Sequence, residues 1–167
     1  MTKRNVMVTL STARTEIAED LFDEESEGIL QPQDFLLPEL PEPTDLIVEG
    51  RLVTNEQRVE LVYEEGELSG MEGSVTAIGF DRATPGLISM IRTGTVATAL
   101  VFEEGKRHFS VYDTPYSSFQ VCVHTLRIEN ALLTEGRIHL DYLIEIHGAQ
   151  AEHCRMTIRA RTVKELL

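Results

Sequence analysis

The stretch Arg137-Ile138-His139-Leu140-Asp141-Tyr142-Leu143-Ile144-Glu145-Ile146 carries Ile138, Leu140, Tyr142, Ile144 and Ile146 at every second position, against Arg137, His139, Asp141, Glu145 and His147. Alternation of period two is the pattern of a strand with one wet and one dry face. After the Gly148-Ala149-Gln150 turn the pattern resumes over Glu152 to Thr162, where Cys154, Met156, Ile158 and Ala160 oppose His153, Arg155, Thr157, Arg159 and Arg161. Phe119 to Ile128 alternates in the same way ahead of both.

Working outward, the same pattern marks Asn5 to Thr12, Leu46 to Leu52, Val59 to Tyr63, Val75 to Phe80, Leu87 to Ile91, Val96 to Phe102 and Phe109 to Tyr112. Turn residues punctuate the series at Thr54-Asn55-Glu56, Glu65-Gly66-Glu67, Pro85-Gly86, Thr93-Gly94 and Glu104-Gly105. Consecutive strands joined by short turns predict an all-β, antiparallel up-and-down meander. A meander of this length hides its edges by closing, which predicts a barrel of about 8–10 strands. Barrels of that size either pack solid or hold one small ligand.

The chain has 167 residues, the size of a single domain, and a formal net charge of −13 from 28 acidic and 15 basic residues. Eleven of the acids, none of the bases and four of the six prolines fall between Glu16 and Asp45. What remains is seventeen acids against fifteen bases, so the rest of the chain is nearly balanced. One domain, residues 1–167, with an acidic, proline-containing insertion at about 16–45 between the first two strands, is the expected organisation.

The prolines of Leu37-Pro38-Glu39-Leu40-Pro41-Glu42-Pro43 keep that part extended. Ile17, Leu21 and Phe22 predict a short amphipathic helix before it. The insertion reads either as a solvated acidic loop or, through Phe35, Leu36, Leu37 and Leu40, as a lid or docking arm.

No apolar run reaches the ~18–20 residues needed to cross a bilayer, and no secretory signal pattern opens the chain. A cytoplasmic protein with no membrane partner is expected. Cys122 and Cys154 have no paired spacing, which suggests neither a disulfide framework nor a cysteine zinc site.

The middle of the chain resembles a known family. Tyr63 with Ser69-Gly70-Met71-Glu72-Gly73, Ile91-Arg92-Thr93-Gly94, Phe102-Glu103-Glu104-Gly105-Lys106-Arg107-His108 and Tyr112-Asp113-Thr114-Pro115-Tyr116 occur in the order and spacing of the YwiB-like family of small bacterial proteins. The resemblance spans about residues 46 to 160. It implies a calycin barrel, similar to lipocalins and fatty-acid-binding proteins, and carries over no catalytic residues. The acidic connection after the first strand is longer here than in the family pattern. In fatty-acid-binding relatives of the fold a helical lid occupies that connection.

The candidate ligand-binding residues are Tyr63, Glu72, Arg92, Arg107, His108, Tyr112, Tyr116 and Tyr142. An inward arginine offers a planar donor fork to a carboxylate or phosphate, and tyrosine hydroxyls orient it. The competing reading pairs Arg92 and Arg107 with Glu72, Glu103 or Glu104 at a barrel rim. Thr114-Pro115-Tyr116 reads as a turn that Asp113 caps, and Gly70, Gly73, Gly94 and Gly105 as turn or bulge positions.

Five histidines give no set of three ligands. His147 and His153, flanking one turn, make a weak metal pair at most, so no metal or other cofactor is expected. There is no phosphate loop, no nucleophile elbow and no selectable carboxylate pair, which argues against an enzyme.

Arg127, Arg137, Arg155, Arg159 and Arg161 form the one basic stripe, which reads as a dock for the acidic segment of this chain or of a neighbour, or for RNA. With few aromatics interleaved, nucleic acid is the less favoured partner. The leading expectation is a non-enzymatic binder of a small amphipathic or anionic ligand inside the barrel. The alternative is a protein–protein interaction module with a packed barrel, acting through the acidic arm or the arginine face. A cavity near the ~300 Å³ of ordinary ligand pockets separates them.

Overall fold

The computed structural model describes residues 1–18, 20–22, 37–66 and 71–163. Ten strands follow in chain order: β1 Thr2–Glu16, β2 Thr44–Thr54, β3 Arg58–Glu64, β4 Ser74–Asp81, β5 Leu87–Gly94, β6 Ala97–Glu103, β7 Arg107–Asp113, β8 Ser118–Ala131, β9 Arg137–Ile146 and β10 Glu152–Thr162. Each lies antiparallel beside its neighbours in sequence, and β1 also pairs with β10, so the sheet closes into the expected up-and-down barrel. The pairing of β1 with β10 runs from Val6–Thr162 to Glu16–Glu152. That of β6 with β7 is confined to Ala97–Asp113 and Thr98–Tyr112.

Two local structures differ from the sequence reading. A one-turn helix, α1 Leu132–Glu135, joins β8 to β9, where the sequence reading placed no helix. The Asn130 side chain accepts the Leu132 amide at its start, and Gly136, at φ 71°, ends it in a left-handed conformation that costs glycine least.

The second difference concerns Ile17, Leu21 and Phe22, which do not form a helix. Leu21 and Phe22 lie in a turn, because tertiary bonds hold this backbone better than two isolated helical turns would. The Ile17 amide bonds the Ala151 carbonyl, and the Leu21 amide bonds the Glu145 carboxylate at 2.9 Å. Phe35 and Leu36 lie outside the described residues.

Alternation resolves into two layers. Inward residues from every strand form the main core, including Val8, Leu52, Leu61, Ile78, Ile88, Phe102, Val123, Leu140 and Ile158, with Tyr112 half-buried against it. A smaller layer sits outside the barrel, where Ile17, Leu21 and Ala151 cover Cys122, Leu126 and Leu143. Val121 through Leu126 are therefore all buried: the barrel covers one face of β8 and the Ile17–Phe22 segment the other.

The main core is full. Val8, Val59, Leu61, Ile78, Ile88, Phe102, Ile138, Leu140 and Ile158 each have 0% exposure. A side chain that no water-sized probe touches cannot line a ligand cavity. Phe102 packs edge-on to Tyr142 with ring centroids 4.9 Å apart.

Gly50 shows how tight the fit is. It lies on the inward row between Val6 and Tyr63, where an added Cβ would stand 2.8 Å from the Val62 carbonyl oxygen and 2.9 Å from Val8 Cγ2. Gly50→Ala is expected to lower stability by about 1–3 kcal/mol through overpacking. Urea unfolding midpoints of the two proteins check this, and an unchanged midpoint would show that the β2–β3 wall can give.

Candidate functional site

The register of five successive strands brings a polar row to the inner face at one end of the barrel. Tyr63 pairs with Thr76, Thr76 with Arg92, Arg92 with Thr98, and Thr98 with Tyr112. Glu65 turns back onto this row just beyond β3. Its Oε1 accepts the Thr76 hydroxyl at 2.6 Å and Arg92 Nη2 at 3.3 Å, while Arg92 Nε donates to Thr76 Oγ1 at 3.1 Å.

The Arg92 and Glu65 side chains keep only 11% and 2% of their exposure, so the pair is buried. Burial pushes the Tyr63 phenol well above its ordinary pKa, and the neighbouring Glu65 charge adds to the rise. The Thr98 hydroxyl is buried with no hydrogen-bond partner among the described residues.

The eight candidate residues therefore divide. Tyr63, Arg92 and Tyr112 share the inner row; Tyr142 lies deeper in the core against Phe102. Glu72 and Tyr116 are exposed in turns. Thr114, not Asp113, caps the second of these turns, through its hydroxyl to the Tyr116 and Ser117 amides; Asp113 instead accepts the Ser118 hydroxyl.

His108 bonds Glu103 on β6, whose carboxyl is held below its usual range by hydrogen bonds from Lys106 and then His108. Arg107 points outward and donates to the Leu21 carbonyl. The buried partner of Arg92 is Glu65, which was not among the rim acids first considered. A signal for Glu65 existed in its position two residues after Tyr63, which gives it the same facing.

The outer layer meets Glu145 and His147, which alternation set on the polar face of their strand. Cys122 lies beneath the Leu21 carbonyl, and burial raises its thiol pKa to about 11, with Arg107 opposing the rise. Phe22 packs on Phe109 and edge-on to His147, at centroid distances of 5.9 and 5.3 Å. A solvent-open crevice of about 370 Å³ runs between this segment and the β9–β10 turn, bordered by Asp20, Glu145 and His147. Another, of about 230 Å³, lies at the opposite barrel end beside Pro85, Glu104 and Asn130.

His147 and His153 do not meet as a metal pair. His153 is buried with its Nε2 2.5 Å from Asp141 Oδ1, and Arg155 Nε reaches the same carboxylate at 3.2 Å. Among the described residues no three His, Cys, Asp or Glu side chains converge as a metal site.

The outward face of β8, β9 and β10 carries the arginines. Arg159 stands directly opposite Arg137, and Arg127 and Arg155 flank Asp141. Arg137 grips Glu135. Arg127, Arg159 and Arg161 are exposed and have no ion-pair partner among the described residues.

Two predictions follow from the buried ion pairs. Glu65→Ala leaves Arg92 buried without its carboxylate and is expected to cost about 3–5 kcal/mol, whereas replacing both partners by apolar residues recovers most of the loss. Chemical denaturation of single and double variants tests this, and additive losses would rule it out.

The second concerns Asp141. Burial favours its neutral form, but the His153 hydrogen bond and the charges of His153 and Arg155 outweigh that and lower its pKa from the ordinary 3.8. The stability it contributes is present above the unfolded value and is lost as pH falls through the folded one. Asp141→Asn is therefore expected to flatten the fall in stability between about pH 5 and 3, read from thermal melts across that range; an unaltered slope would refute the assignment.

A family model described as a domain of unknown function, DUF1934, matches residues 37–158. No curated protein matches the chain. The crystal structure of the ywiB protein from Bacillus subtilis superimposes with a TM-score of 0.63 at 14% identity, covering 96% of this chain and 94% of that one. That likeness extends over nearly all of both chains and agrees with the barrel described above. Among the described residues no helix is long and apolar enough to cross a membrane. The matched span is most of the chain and includes β2 to β9 entire, so the protein belongs to the DUF1934 family.

Proposed function

We propose that this protein is a non-enzymatic, cytoplasmic interaction module whose recognition surface is the outside of the barrel. The observation that carries this reading is the filled interior: inward side chains from seven of the strands have 0% exposure, and both open crevices lie away from them. A binder of the lipocalin kind needs an interior volume near ~300 Å³. The arginine that would clamp an anion is already neutralised by Glu65. Surface recognition needs neither cavity nor cofactor.

One observation favours a second reading, in which a small anionic ligand enters the polar row. The Thr98 hydroxyl lacks a partner beside Arg92, and Glu65 occupies the place of a ligand carboxylate. Such a ligand would have to displace Glu65.

Native mass spectrometry of the protein as purified separates the two. The interaction reading expects the bare mass of the chain both in the wild type and in Glu65→Gln. A small molecule retained by the wild type, or gained when Gln weakens the internal clamp, would replace it with the ligand reading.

A further inference from the structure

We infer that the outward face of β8–β10 binds an extended acidic segment of a partner protein, through Arg159, Arg161 and Arg127, with Ile47 as an apolar anchor. This rests on the surface-recognition reading and names its partner by chemistry.

Charge is the first argument. In a chain of net charge −13, the three guanidinium groups of Arg127, Arg159 and Arg161 stand exposed on one face without an ion-pair partner among the described residues, Asp141 lying across the ladder from Arg127. Arg159 also faces Arg137 directly across the β9–β10 ladder, and since Glu135 already pairs with Arg137, it is Arg159 that is left without a counter-ion. The neighbours of this cluster already show the mode of binding. Arg137 holds Glu135 through both Nε and Nη2, and Arg155 holds Asp141.

Geometry makes the partner a strand-like peptide. Arg159 and Arg161 are two residues apart on one strand, ~6.8 Å, which is the spacing of alternate side chains on an extended segment laid beside them. The row through Arg159 continues over Thr9 to Ile47, which is 64% exposed between the exposed Asp45 and Glu49, so an apolar and not an acidic residue of the same segment has a place to pack there.

A phosphate backbone suits the face less well. Asp141 and Glu129 interrupt it, opposite Arg127 and His139, which confines the uncompensated positive charge to the Arg159–Arg161 end and suits a short acidic segment better than a continuous polyanion. The residues between the arginines are Thr157, His139 and Thr9, none of which gives a base a stacking platform like those of single-strand binders.

Fluorescence anisotropy with a labelled twelve-residue peptide of alternating Glu and Ser tests the assignment. A Lys-Ser peptide and a twelve-nucleotide oligouridine serve as comparisons. The Glu peptide is expected to bind the full chain at low salt and to weaken steeply as salt is raised. The R159E/R161E variant should lose at least tenfold in affinity. The R4E/K106E variant, with the same change in net charge elsewhere, should stay within twofold of wild type.

Circular dichroism melts establish that both variants fold. Equal affinity of R159E/R161E and wild type, or tighter binding of the oligouridine than of the Glu peptide, overturns the assignment. Native mass spectra of the same samples tell its failure from that of the broader reading: a small molecule bound in the barrel defeats surface recognition altogether, while a bare barrel with unchanged peptide affinity defeats only this face.

Discussion

The closing of β1 against β10 is the constraint on which the rest of the structure depends. β1 pairs on one edge with β2 and on the other with β10, which joins the beginning of the described chain to its last strand and leaves no free sheet edge at that point. Closure fixes which face of every strand is inside. Once Val6, Val8 and Leu10 face inward, the alternation of all other strands must agree with them, and one-residue slips would turn a whole strand's apolar set outward. The filled core and the buried Arg92–Glu65 pair both follow from that shared parity.

Much of this was legible in the residues. Alternation in Arg137–Ile146 and Glu152–Thr162 identified inward Ile138, Leu140, Tyr142, Cys154 and Ile158, all of which are in the core. The ten strands were each visible from period and punctuation. Gly73, Gly94 and Gly105 were read as turn or bulge positions, and all three have positive φ; Gly70 lies outside the described residues.

The candidate site was less legible, because period gives faces and not register. Tyr63, Arg92 and Tyr112 come from three strands whose sequence separations say nothing of their alignment, yet the ladders place them on one row. Arg107 and His108, adjacent in sequence, necessarily face opposite ways. The parity of Glu145 marked it as outward, and it is; its burial and that of Cys122 come from Ile17, Leu21 and Phe22 folding over them, a long-range contact with no local signature. The helix expected for that segment failed for the same reason: its apolar residues serve a docked turn.

The short pairing of β6 with β7 gives the barrel a direction of weakness. Beyond Ala97–Asp113 and Thr98–Tyr112 those two strands are not joined by ladder bonds, while the β6–β7 turn is fastened to β8 through the Gly105 amide and the Lys106 carbonyl. Thermal opening that begins here breaks the fewest ladder bonds, and it leaves Ala99 to Val101 paired with β5 and Phe109 to Val111 paired with β8, whereas parting β1 from β10 breaks a ladder eleven residues long. The cylinder is thus a sheet that is locked along one line and latched along another, and its slow motions are those of the latch.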